Sequence, residues 1–424
     1  MRKRQEWISI FVAALSAFSV YTCMYAFRKP FTAANFSEES FLSIDYKVWL
    51  VVAQTIGYTL SKFYGIRFIA ELSTKNRSGT ILLFIMLAWL SLLLFALTPA
   101  PYNIIFLLLN GFPLGVIYGL VFSYLEGRRS TELLGAVLAA SFIFASGFTQ
   151  SIGKYILLNW NVSEWWMPFI TGSVFIIPTI VFTWLLSRTP SPTKKDILLR
   201  TERKPMNLAA RKEFIKNFLP GLVLLITTYI MLTIIRDYRS NFASNIWTEL
   251  GFNDASVFTT SELPASLITL VLMGLLIFIK KNIRALLVNH LIIIAGFSLC
   301  ILFTLLYLYG YTSPFSWMSI VGIGLYMGYV PFNCMLFDRM IASFKYVSNA
   351  GFIIYLADSF GYLGSNVILI TKNFLKLDVS WSDFFVRMVL LMSALGIALT
   401  ILSALYFRDK YYDKQIEQPG LKYA

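Results

Sequence analysis

Apolar segments of about twenty residues recur from Ile8 to Phe407 with short polar breaks between them, and that recurrence decides what the chain can fold into. At 1.5 Å per residue each segment is long enough, as a helix, to cross about 30 Å of hydrocarbon. Hydropathy predicts an all-α membrane protein with twelve transmembrane helices, near 7–36, 46–70, 80–98, 102–125, 134–158, 166–187, 217–248, 255–279, 285–309, 315–338, 349–373 and 383–407. Composition agrees: 57% of the residues are hydrophobic and 14% charged, too apolar for a soluble protein. The opening MRKRQEW and its apolar run lack the small-residue cleavage site of a signal peptide, so they read as a retained first span.

The formal net charge is +14, which in a soluble chain would suggest nucleic acid. Here the basic residues gather on one side of the spans: Arg2, Lys3 and Arg4, then Arg67, Lys75 and Arg77, Arg128 and Arg129, Lys280, Lys281 and Arg284, Arg339 and Lys345, and Arg408 and Lys410. The opposite breaks carry acids such as Glu38, Glu39, Asp45, Glu164, Glu249 and Asp254. By the positive-inside rule both termini are expected in the cytoplasm, with the chain in the cell (inner) membrane. That asymmetry accounts for the charge through the bilayer alone, with no nucleic acid. Cys23, Cys300 and Cys334 lie inside apolar runs and read as packing; no metal-ligand cluster is present and no cofactor is expected.

The chain divides near its middle. A stretch rich in Pro, Lys and Arg predicts a cytoplasmic linker at 188–216 between six-helix bundles at 1–187 and 217–424. The halves echo one another: Tyr21 precedes Arg28 by seven residues and Tyr229 precedes Arg236 by seven, each late in the first helix of its half. Asn35 and Phe36 follow in one half, Asn241 and Phe242 in the other. Such parallel repeats place a binding site near the midplane, between the halves.

Arg28 and Lys29 emerge directly from the first apolar run. A charge at bilayer depth costs about 2.5–3.5 kcal/mol by insertion scales and normally lines a water-filled path, although at a helix end it can instead snorkel to the interface. Tyr21, Tyr25 and Arg28 share one helical face, which favours a lining. Two guanidinium forks, Arg28 and Arg236, suit bidentate capture of phosphate or carboxylate. Asp237 is next to Arg236, but neighbours on a helix point about 100° apart, so it is not expected to neutralise that arginine. Two cross-half pairs are expected to act as gates: Lys154 with Glu262 on the outer side and Lys62 with Asp358 on the inner side. Asp237 and Arg239 are further gating or coupling candidates, and Asp358 or Glu262 could instead titrate and couple transport to protons.

The run Tyr21, Tyr25, Arg28, Lys29, Phe31 resembles the first-helix motif of the organophosphate:phosphate antiporters of the major facilitator superfamily. GYTLSKF (Gly57–Phe63) and FGYLG (Phe360–Gly364) extend the likeness, with Arg236 and Glu262 near the family's seventh-helix arginine and eighth-helix glutamate. The resemblance implies a monomeric major facilitator transporter in which Arg28 and Arg236 hold the substrate's phosphate. Tyr21, Tyr25, Lys29, Lys62 and Tyr229 are the other substrate-binding candidates. The sequence departs from the family where its fifth helix has no histidine, where Asn241 replaces an aspartate, and where ELSTKNR lacks an Asp-Arg.

The reading is a secondary transporter for a small organic anion, with inorganic phosphate or protons as counter-substrate. The alternatives are a proton-coupled symporter of carboxylates or amphiphilic anions, and a transporter-like anion sensor. No GxxxxGK[ST] loop provides for ATP, and the lone His290 has no neighbouring acid, so an enzyme is not expected.

Overall fold

The computed structural model describes residues 2–71, 76–125, 131–190, 208–344, 350–374 and 379–417. Lys75, Arg128, Arg129, Lys345 and most of the basic linker, 191–207, lie outside the described residues. The first half holds α1 (Arg2–Tyr25), α2 (Tyr46–Glu71), α3 (Arg77–Leu97), α4 (Ile104–Leu114), α5 (Ile117–Leu125), α6 (Thr131–Asn159) and α7 (Met167–Ser187). The second holds α8 (Leu208–Asn241), α9 (Ala243–Glu249), α10 (Val257–Leu276), α11 (Asn282–Leu308), α12 (Pro314–Cys334), α13 (Leu336–Ser343), α14 (Ala350–Phe374) and α15 (Trp381–Glu417). A small hairpin, β1 (Ser40–Phe41) with β2 (Ile44–Asp45), connects α1 to α2.

Among the described residues, eleven helical segments are long and apolar enough to cross a membrane. The twelfth expected span, α2, is not among them, although its 26 residues give about 39 Å of helix. It falls short in apolarity because it carries Lys47, Gln54, Thr55, Ser61 and Lys62, all of them buried in protein instead of facing lipid. Polar side chains at that depth are tolerated where neighbouring helices satisfy them.

Several expected spans are broken. That at 7–36 leaves its helix at Tyr25, and that at 217–248 ends as α8 at Asn241 with the short α9 following Phe242. The segment at 102–125 divides into α4 and α5 around Gly115, just after Pro113, which has no N–H to continue the ladder. The segment at 315–338 ends as α12 at Cys334, three residues after Pro331, and a short α13 follows. Ser313 starts α12 cleanly, accepting the Ser316 N–H at 3.2 Å with Pro314 in the first turn.

Within each half the helices pack on one another, α2 on α4 and α1 on α6 in the first, α11 on α12 and α8 on α14 in the second. Two long seams join the halves, α6 on α10 and α2 on α14.

Candidate functional site

The first helix stops at Tyr25, earlier than the apolar run suggests, and the break is where the site begins. Ala26, Phe27 and Arg28 turn through tight bonds to the third residue back (3.0, 3.1 and 3.0 Å), and a 3₁₀ turn over Pro30–Ala33 follows. Pro30 has no N–H with which to continue the α-helical ladder. Arg28 and Lys29 therefore sit on irregular backbone at membrane depth, which is tolerated only inside protein or along a cavity. Both are buried, at 7% and 5% exposure, which overturns the snorkelling alternative. Arg28 also lies beyond the helix that carries Tyr21 and Tyr25, so the three do not share a helical face, although all of them reach the same central space.

That space is a pair of small adjoining cavities. The first is walled mainly by tyrosines, among them Tyr21, Tyr58 and Tyr118, with Lys62 and Asp358. The second holds Arg28, Lys29, Asp237 and Ser240. Tyr25, Phe142, Arg236 and Tyr362 line both.

The two arginines differ in their partners. The guanidinium carbon of Arg28 lies 3.9 Å from the Tyr58 ring centre, a cation–π contact, and among the described residues Arg28 forms no ion pair. Its Nε is buried without any hydrogen-bond partner. Arg236 lies 4.2 Å from the Tyr329 ring centre and 5.4 Å from that of Tyr362. It also donates to Asp237 Oδ1 from Nε at 3.1 Å and from a terminal nitrogen at 2.7 Å. Asp237 therefore does neutralise Arg236, contrary to the expectation from helical angles, because the long guanidinium folds sideways across the helix surface to reach its neighbour.

On one face of the bundle, Lys62 of α2 meets Asp358 of α14 at 3.1 Å across the halves. The Tyr229 hydroxyl is committed to Asp358 and, at 2.7 Å, to Tyr329. On the opposite face the halves are closed by neutral acceptors. The Lys29 ammonium donates to Ser240 Oγ (2.8 Å) and Asn241 Oδ1 (2.6 Å), and that of Lys47 to the Thr32 carbonyl (2.9 Å) and Asn245 Oδ1 (2.7 Å). Gln150 adds bonds to Thr32 and Ser240, and Ser244 one to the Ala33 carbonyl.

The expected outer pair does not form. Glu262 is ion-paired with Arg239 of its own half, and Arg239 also donates to the Met318 carbonyl at 3.0 Å, so the pair ties α8, α10 and α12 together. Lys154 makes no ion pair among the described residues. Glu262 takes its counter-charge from Arg239 of its own half, which charge placement along single helices does not reveal.

Three site residues had no prominence in the sequence. Lys47 looks like a basic residue at a span end, yet it is 1% exposed. Gln54 and Asn110 look like isolated polar residues in apolar runs, yet they hold the break in α1: Asn110 donates to the Phe27 carbonyl and Gln54 to that of Arg28, each at 2.9 Å. The signal that could have found them is Pro30, since a proline just after Arg28 and Lys29 frees carbonyls that some buried amide must satisfy.

The path of the whole chain resembles a solved crystal structure of a D-xylose-proton symporter, with a TM-score of 0.60 and 14% sequence identity, covering 94% of this chain and 96% of that one. At that identity the likeness establishes the fold, the two six-helix bundles of the major facilitator architecture. No curated protein sequence matches the chain. Residues 30–410, most of its length, match a family described as being of unknown function. The chain is thus a multi-pass membrane protein of major facilitator fold and a member of the family of unknown function DUF5690.

Proposed function

We propose that the chain is a secondary active transporter that moves a small organic anion, a phosphorylated metabolite by preference, through alternating access, with Arg28 and Arg236 gripping the anion. The observation that carries this reading is the Arg28 guanidinium, buried among tyrosines with no ion-pair partner among the described residues. A buried charge without a partner costs several kcal/mol, so an incoming anion gains more there than at a solvated arginine. Around the two cavities Arg28, Lys29, Lys62 and Arg236 face Asp237 and Asp358, an excess of two positive charges that suits a dianion such as a phosphate monoester. The major facilitator fold supports transport, and the Lys and Arg distribution supports cytoplasmic termini in the cell membrane.

A proton-coupled variant has its own support. The similar solved structure is described as a proton symporter, and Asp358 lies on the cavity wall, hydrogen-bonded to Tyr229. The two readings part in one experiment: uptake of labelled sugar phosphates, glycerol-3-phosphate and dicarboxylates into proteoliposomes, either loaded with phosphate or given a proton gradient. Uptake of a phosphorylated solute that needs internal phosphate, and is lost in Arg28→Lys and Arg236→Lys, is the expected result. Uptake driven by the proton gradient alone moves the assignment to symport, and flux indifferent to both substitutions overturns the arginine site.

A further inference from the structure

The break in α1 is held by a closed circuit of amides. In an unbroken helix the carbonyls of Phe27 and Arg28 would accept from the backbone N–H groups of residues 31 and 32. Here Thr32 N–H goes instead to the Lys29 carbonyl at 3.0 Å, and Pro30 begins a new turn. Asn110 Nδ2 donates to the Phe27 carbonyl and to the Ala88 carbonyl of α3, each at 2.9 Å. Gln54 Nε2 donates to the Arg28 carbonyl at 2.9 Å and to Asn110 Oδ1 at 2.7 Å. All four N–H hydrogens of the two side chains are thereby used, and flipping either amide would set oxygen against oxygen. Both amides are buried, Gln54 at 5% exposure and Asn110 at 0%.

The seat of this circuit is the α2–α4 contact. A Cβ on Gly111 would fall 2.1 Å from the Gln54 carbonyl oxygen, and one on Gly57 would fall 2.1 Å from that of Leu108, so two glycines let the backbones touch where the amides must meet. One turn after Gln54 on the same helix is Tyr58, whose ring lies under the Arg28 guanidinium. Helix α2 thus grips Arg28 at both ends, the backbone carbonyl through Gln54 and the guanidinium through Tyr58.

We infer that Gln54 and Asn110 are positioning residues, which fix the broken end of α1 so that Arg28 projects its guanidinium into the cavity at a set angle to Arg236. The inference rests on the anion-transport reading. Aligned forks matter because bidentate capture of an oxyanion depends on geometry as well as charge. A mispositioned Arg28 retains its charge and loses its grip.

The test is binding of labelled inorganic phosphate to the full-length protein in nanodiscs, measured for the wild type, Gln54→Met, Arg28→Lys and the double variant, with Asn110→Leu as a second probe of the circuit. The expected result is a rise of about tenfold in the half-saturating phosphate concentration for Gln54→Met. The double variant should be no weaker than Arg28→Lys alone, because Gln54 acts only through Arg28. Additive losses, or Gln54→Met and Asn110→Leu binding like the wild type while Arg28→Lys fails, overturn the positioning role and leave the anion reading standing. A wild type that does not bind phosphate, or an Arg28→Lys that binds like it, overturns both. Failure of both amide variants to give monodisperse protein makes the circuit purely structural and also overturns the inference.

Discussion

Lys62 on α2 and Asp358 on α14 meet at 3.1 Å across the seam between the halves, with side chains 5% and 9% exposed. Removing one partner of such a buried pair leaves the other charged and unpaired, at a cost of about 3–5 kcal/mol. Asp358→Asn is therefore expected to lower the melting temperature by several degrees and to reduce transport. The charge swap Lys62→Asp with Asp358→Lys should recover much of both, and a swap no better than the single variant would show that the pair does not hold this face closed.

The opposite face closes differently. Lys29 and Lys47 donate only to hydroxyl, amide and carbonyl oxygens of neutral groups, bonds worth about 1.5–3 kcal/mol each because the donor is charged. Lys47→Met should therefore loosen this face without unfolding the protein. With Cys23, Cys300 and Cys334 replaced by serine, a cysteine placed by Phe142→Cys in the cavity wall should react severalfold faster with an impermeant maleimide once Lys47→Met is added. An unchanged labelling rate would remove Lys47 from the gate.

Gly57 and Gly111 make the α2–α4 contact possible, since a Cβ at either would lie 2.1 Å from a carbonyl oxygen. Alanine at either position is expected to cost about 1–3 kcal/mol through forced backbone shifts. Gly274, in α10, has nothing within 4 Å of its would-be Cβ, and alanine there should be neutral or gain up to about 1 kcal/mol from helix propensity. Melting temperatures of the three variants check the contrast.

Glu262 is tied to Arg239 inside its own half, and Arg239 also reaches the Met318 carbonyl. Glu262→Gln leaves Arg239 charged and buried without its carboxylate, so it should lower stability about as much as Asp358→Asn, while the KM for the transported anion stays within about twofold because Glu262 lines neither cavity. Loss of uptake driven by a proton gradient in this variant would instead assign Glu262 to coupling.

How much of this was legible in the sequence follows from the physics of each feature. The spans were, because twenty apolar residues in a row have few other homes. The charged residues of the site were too, since Arg28, Arg236, Lys62 and Asp358 stand out in apolar runs, and all four line the central cavities. Partners were harder. Depth along a helix pairs Lys154 with Glu262, but only packing reveals that Arg239 is nearer, and angles between neighbours miss how far an arginine can fold back to Asp237. The helix interruption at Tyr25 was invisible to hydropathy, which reads straight through a break whose freed carbonyls are satisfied by Gln54 and Asn110 elsewhere in the chain, whereas Pro113 marks the one at Leu114.

Arg28, which has no ion-pair partner among the described residues, is proposed to receive its counter-charge from a transported anion. Electron cryo-microscopy of the protein with tungstate, a heavy oxyanion, tests it most directly. Strong density is expected within hydrogen-bond distance of the Arg28 guanidinium, on the side facing Arg236, and is lost in Arg28→Gln. Density elsewhere in the bundle, or an Arg28 side chain turned to a protein carboxylate with no anion beside it, would rule out Arg28 as the anion site.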